Sequence, residues 1–153
     1  MQKITTFLWF DNNAEEAINF YCSIFPDAKL LSATRCGEAG PGPKGSLLSA
    51  SFQLAGQQFA ALNGGPMFKF NEAVSLVVNC ESQAEIDHYW EKLSAGGQEQ
   101  PCGWLKDKFG LSWQIVPTVL PKLLSHPDPA KAGRAMQAML QMKKLDIAAL
   151  EQA

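Results

Sequence analysis

The stretch TFLWFDNNAEEAINFY, residues 6–21, decides the fold, because it returns later in the chain as VSLVVNCESQAEIDHY, residues 74–89. Each copy opens with a β-branched and aromatic run, passes through polar residues able to turn the chain and cap a helix, and continues with apolar residues at helical spacing. A constant offset superposes Leu8 on Leu76, Asp11 on Asn79, Ile18 on Ile86, Tyr21 on Tyr89 and Phe25 on Leu93. The chain therefore contains a duplicated module.

Working outward, the first copy reads as a strand over residues 4–10 and a helix over 14–25 that Pro26 and Asp27 end. A strand over 28–34 follows, then a Gly/Pro loop over 37–45 and a hairpin of 47–54 with 57–62 turning at Ala55-Gly56. The second copy reads as a strand over 74–78, a turn and cap over 79–82, and a helix through Ile86, Tyr89, Trp90 and Leu93 that stops at Gly96-Gly97. A weak strand over 98–100 leads into PCGWLKDKFGLSWQIVP, residues 101–117: a strand from Trp104 to Lys106, a turn at residues 108–110, and a strand from Leu111 to Val116 halted by Pro117. Both modules thus read β-α-β-β-β, module one spanning about 1–66 and module two about 67–117. Beyond them, residues 118–153 form a helical C-terminal extension, with helices at 121–125, 129–144 and from Asp146 to the end. Its Met-rich stripe is a packing surface on its own domain or across a dimer, or else an adaptable binding surface. One module cannot cover both faces of its sheet. Two can, as an α+β fold in which helices cover the outer side of a curved mixed sheet and the inner side lines a cleft.

Composition narrows the function classes. With 153 residues and 46% hydrophobic side chains the chain can bury a core without metal or disulfide staples. Thirteen basic against 15 acidic residues, with no basic run, argue against nucleic acid. No apolar run reaches the roughly 20 residues of a membrane span and no leader pattern opens the chain, so the cytoplasm is the expected location. Cys22, Cys36, Cys80 and Cys102 lack metal or redox spacing and read as free thiols.

The segments FLWFDNNAEEAINFY, FAALNGGPMFKFNEAVSLVV and CGWLKDKFGLSWQIVP, in this order on a duplicated plan, resemble the PhnB-like family of the vicinal oxygen chelate superfamily. That superfamily also holds glyoxalases, bleomycin-resistance proteins and extradiol dioxygenases, and members of this branch carry the description 3-demethylubiquinone-9 3-methyltransferase. The resemblance implies the vicinal oxygen chelate fold, a homodimer and, in the superfamily's metalloenzymes, a divalent ion held by His, Gln or Glu on the first and last strands of each module. The matching positions are Thr6, Val74 (or Ala73), a residue near Ala61, and Gln114, so three of the four carry no ligand. His88 sits in a helix and His126 in the extension. No metal and no cofactor are therefore expected, and Gln114 reads as a hydrogen-bonding residue facing the cleft.

The methyltransferase description implies S-adenosylmethionine. The single glycine-rich candidate, residues 40–45, leads into a strand and is broken by prolines, so it reads as a loop. No nucleophile elbow, phosphate loop or paired acids appear, and no catalytic residue is assigned. The expected ligand-binding residues are Trp9, Asn63, Phe70, Trp104 and Gln114, with Phe68 adding flat apolar surface for an aromatic or planar molecule. Trp9 and Phe70 serve equally well as core, and Asn63-Gly64 as a turn. The leading expectation is a metal-independent small-molecule binding protein. An enzyme of the same fold, either a metal-dependent lyase or dioxygenase or the methyltransferase, and an interaction protein working through its tail stay open beside it.

Overall fold

In a computed structural model describing residues 2–153, the chain forms two compact units, residues 2–70 and 71–153. The first holds β1 (Thr6–Phe10), α1 (Ala14–Cys22), β2 (Lys29–Arg35), β3 (Leu47–Leu54) and β4 (Gln57–Asn63). The second holds β5 (Ser75–Cys80), α2 (Gln83–Ser94), β6 (Gln98–Glu99), β7 (Trp104–Lys106) and β8 (Ser112–Pro117), followed by α3 (Leu120–Leu124), α4 (Pro129–Leu140) and α5 (Ile147–Gln152). Each unit carries a four-stranded mixed sheet with the same order, β1-β4-β3-β2 and β5-β8-β7-β6. The first and last strands of each module pair in parallel, and the others antiparallel. This is the α+β duplication expected from the sequence.

Alternation along the strands explains the cores. In the first unit Leu8, Phe10, Phe52, Phe59 and Ala61 are buried, together with Ala17, Ile18 and Tyr21 of α1. In the second, Leu105, Trp113 and Ile115 are buried with Ile86, Trp90 and Leu93 of α2. Each leucine, isoleucine and phenylalanine among them contributes roughly 1.5–3 kcal/mol on leaving water. The opposite side of each sheet is only half covered, and Phe7 and Val77 remain 59% and 49% exposed.

Several boundaries differ from the sequence reading, Pro117 among them as the last residue of β8 rather than its stop, and three of the differences have identifiable reasons. Helix α1 stops at Cys22 because Pro26 disfavours helical backbone just before it, and residues 23–25 turn back onto Asn19, Phe20 and Tyr21. Asn79 and Cys80 are strand rather than turn, since Val116 and Pro117 of β8 lie beside them. Helix α4 ends at Leu140, four residues early, because the backbone at Met142 and Lys143 bonds to the turn at Cys102 and Gly103.

The extension packs within the second unit. Leu120, Leu145 and Leu150 form a buried cluster against which Val116, Met139 and Met142 rest. Asp128 and Asp146 cap α4 and α5 by accepting from Ala130 N–H and Ala149 N–H. Among the described residues no helix is long and apolar enough to cross a membrane.

Candidate functional site

The open side of each sheet, away from its helix, carries the groups available for recognition. In the first unit this side presents Phe7, Trp9 and Leu62, because Phe7 and Trp9 alternate away from buried Leu8 and Phe10, and Leu62 lies opposite Trp9. Trp9 is fixed in place. Its indole N–H donates to the Gly65 carbonyl at 3.0 Å, and Phe68 meets it edge-on with ring centroids 4.9 Å apart. A Cβ on Gly64 would stand 2.4 Å from the indole, so only glycine lets the chain pass there. Phe70 does not join this surface: it packs edge-on at 5.2 Å against Phe10, which belongs to the α1 side of β1.

Asn63 is committed to the fold. Its Oδ1 accepts from Ala14 N–H at 2.9 Å, satisfying the first turn of α1 where Asn13 provides no side-chain cap, and its Nδ2 donates to the Leu47 carbonyl at 3.0 Å. Asn63 nonetheless borders a cavity of about 610 Å³ that Leu62, Gly64, Pro41, Pro43 and Asp11 also line.

In the second unit Gln114 stands on the open side with Trp104 directly across from it on β7. The Gln114 amide donates to Ser75 Oγ at 2.9 Å. Trp113 and Ile115 point the other way and are buried on the side where α2 packs. Trp104 lines a second cavity of about 600 Å³. At its rim Lys106 pairs with Glu72 at 2.6 Å, and this hydrogen-bonded cation holds the Glu72 carboxyl below its usual range. Ser112 Oγ is buried with no hydrogen-bond partner among the described residues.

The parallel pairings reassign the positions facing the open side. Leu8 pairs with Ala61 and Leu76 with Trp113, and all four belong to the helix side. Ala61 is fully buried there, Thr6 shares the side of Leu8 two residues along the strand, and Val74 precedes β5. The equivalent open-side positions are therefore Phe7, Leu62, Ser75 and Gln114, a shift of one residue at three of the four positions. Phenyl and aliphatic groups cannot ligate, and a hydroxyl with one amide is a weak donor set for a transition metal. Among the described residues no three His, Cys, Asp or Glu side chains converge either. These residues do not fit the metal site of the superfamily's metalloenzymes.

His88 stacks edge-on against Tyr89 in α2, and His126 Nδ1 accepts from Asp128 N–H. The glycine-rich residues 40–45 connect the antiparallel strands β2 and β3, not a strand to a helix. All four cysteines are free, and burial, with Glu85 adding to it, pushes the Cys80 thiol up to about 11. Sequence reasoning missed Phe7 and Ser75. Phe7 was legible from its alternation with Leu8, whereas Ser75 emerges only from the parallel β5–β8 pairing.

A family model described as 3-demethylubiquinone-9 3-methyltransferase matches residues 2–116. The PhnB protein of Bacillus cereus is 41% identical, with a TM-score of 0.72 over 76% of this chain and 100% of its own. The chain belongs to the PhnB-like family. Its PhnB-like fold also matches a Pseudomonas aeruginosa protein, at 22% identity and a TM-score of 0.63 over 76% of this chain and 98% of that one. The fosfomycin resistance protein FosX of Listeria monocytogenes, solved with Mn(II) and sulfate, matches at 18% identity and a TM-score of 0.56 over 75% and 92% of the two chains. These likenesses give the vicinal oxygen chelate fold. No curated protein matches the chain.

Proposed function

We propose that this PhnB-like protein binds a small aromatic or planar molecule without a metal, as a cytoplasmic homodimer. One observation carries the reading: the open-side positions where a metalloenzyme of this fold needs ligands hold Phe7, Leu62, Ser75 and Gln114, while Phe7, Trp9 and Trp104 present aromatic surface on the same sides. Flat apolar rings with a few hydrogen-bonding groups among them are the usual lining of a small-molecule site. Gln114 and Ser75 are the polar handle in the second unit. In the first, Trp9 is pre-oriented by the Gly65 carbonyl and Phe68, which lowers the entropy lost when a ligand stacks on it. Four unpaired thiols fit a reducing compartment.

A fluorescence titration with 2-naphthol, an uncharged planar probe, tests this. Gln114→Ala should weaken binding about fivefold, the order expected for one desolvated hydrogen bond, while leaving the melting temperature nearly unchanged. Trp9→Phe removes the indole contact and should weaken binding by a similar factor. Unchanged affinity in both variants would remove the proposal.

A further inference from the structure

The family match ends at residue 116, and 76% of this chain already covers the whole Bacillus PhnB protein, so the C-terminal extension lies beyond what the family plan requires. Its segment between α4 and α5 returns to the second sheet and is anchored on both sides of Lys143. Cys102 N–H donates to the Met142 carbonyl and Gly103 N–H to the Lys143 carbonyl, each at 2.8 Å. On the other side Lys144 pairs with Asp87 at 2.8 Å, and the Gln83 amide donates to the Leu145 carbonyl and accepts from Ile147 N–H. Cys102 holds a left-handed conformation, φ 64, within the clamped turn, a strain that persists only where surrounding contacts over-determine the backbone. The anchoring fixes where the Lys143 side chain begins.

Lys143 lines the cavity of about 600 Å³ together with Trp104, Gln98, Gln100 and two carboxylates. Both carboxylates are already engaged: Glu72 by Lys106, and Glu99 by the Trp90 indole N–H. Lys143 has no side-chain partner among the described residues, and the Trp104 indole N–H has no acceptor among them. The spare capacity of this cavity is therefore one cation, one indole donor, two amides and the second oxygen of Glu99 beside a flat ring, which together match a ring bearing a carboxylate at one end and a hydrogen-bond donor at the other.

We infer that the extension delivers Lys143 to the Trp104 cavity as a specificity residue that selects an aromatic carboxylate. The inference rests on the planar-ligand reading above and adds the ligand's charge. The ring stacks on Trp104, and the carboxylate accepts from the Lys143 ammonium. The remaining oxygen of Glu99 is left for a ring hydroxyl or amino group.

The test titrates full-length protein with 6-hydroxy-2-naphthoate and, in parallel, with uncharged 2-naphthol. Lys143→Met keeps the apolar stem and removes the charge at an exposed position, so the fold is retained. It should weaken the naphthoate about fivefold and leave 2-naphthol unchanged. Lys131→Met, at an exposed lysine of α4 that does not line the cavity, should leave the ratio of the two affinities as in the unaltered protein. Equal naphthoate binding by Lys143→Met, or equal losses in both lysine variants, would overturn the role of Lys143 while leaving the planar-ligand reading intact. Failure of the unaltered protein to bind either probe would overturn both.

Discussion

The two units share strand order, pairing pattern and helix placement, yet they solve the same local problems with different residues. In the first, α1 lacks a side-chain cap from Asn13 and takes its acceptor from Asn63, 49 residues along the chain. In the second, α2 is capped locally: Ser82 Oγ accepts from Glu85 N–H, and Glu85 accepts from Glu81 N–H. The hairpins differ in the same way. Between β3 and β4, Ala55 and Gly56 at φ 48 and 83 make a two-residue turn whose twist matches the strands. Between β7 and β8 a longer turn wraps the buried Asp107 carboxylate, which accepts from Phe109 N–H, Leu111 N–H and the Trp113 indole. Duplication preserves the backbone plan, and each copy then finds its own polar satisfaction. A residue's place in the plan therefore does not give its role.

The largest test of that difference is at the hairpins. Asp107→Ala strands two buried donors, the Leu111 N–H and the Trp113 indole, and the half-buried Phe109 N–H, and should destabilise the protein by about 3 kcal/mol or more in urea denaturation. The matching turn in the first unit should respond in the opposite direction, with Ala55→Gly neutral or stabilising by up to about 1 kcal/mol, because glycine accepts the positive φ without strain. Similar losses at both turns would erase the contrast.

The helix caps sharpen it further. Asn63→Ala removes both the acceptor for α1 and the donor to Leu47, and should cost about 2 kcal/mol; Ser82→Ala removes one cap bond and should cost about 1 kcal/mol. If Asn63→Ala proves the milder of the two, the long-range cap is not what holds α1.

The smallest expected effect is electrostatic. Hydrogen bonding to Arg35 holds the Glu15 carboxyl low in the first unit, as Lys106 does for Glu72 in the second and Lys144, with Gln83, for Asp87. Groups whose folded pKa is depressed add stability above their unfolded values near pH 4, and that stability is lost as pH falls through the folded values. The melting temperature should therefore drop slightly on acidification below about pH 4.5, less so in high salt and less so for Glu72→Gln. A melting temperature that rose across this window would contradict the pairing.

Much of the fold was legible because periodicity reports which residues a strand or helix must bury, and the repeat of residues 6–21 at 74–89 supplied the plan twice. The orientation of side chains was less legible. Thr6 and Ala61 stood where Phe7 and Leu62 turn out to be: alternation with Leu8 was enough to find Phe7, whereas the side Leu62 presents follows from register with β1 many residues away. Asn63 shows the same limit: an Asn-Gly-Gly turn is readable from sequence, whereas its amide's bonds to Ala14 and Leu47 depend on tertiary placement. Lys143 was invisible as a site residue, because its helix-like surroundings gave no sign that the chain leaves α4 early to meet Cys102 and Gly103.

The most direct test of metal-independent recognition is the affinity for 2-naphthol of protein purified without affinity-tag nickel, before and after exhaustive EDTA treatment, with native mass spectrometry of both samples. A metal-free dimer with the same affinity in each sample is the expected result. A stoichiometric divalent ion, with binding lost on its removal and restored on its return, would contradict it.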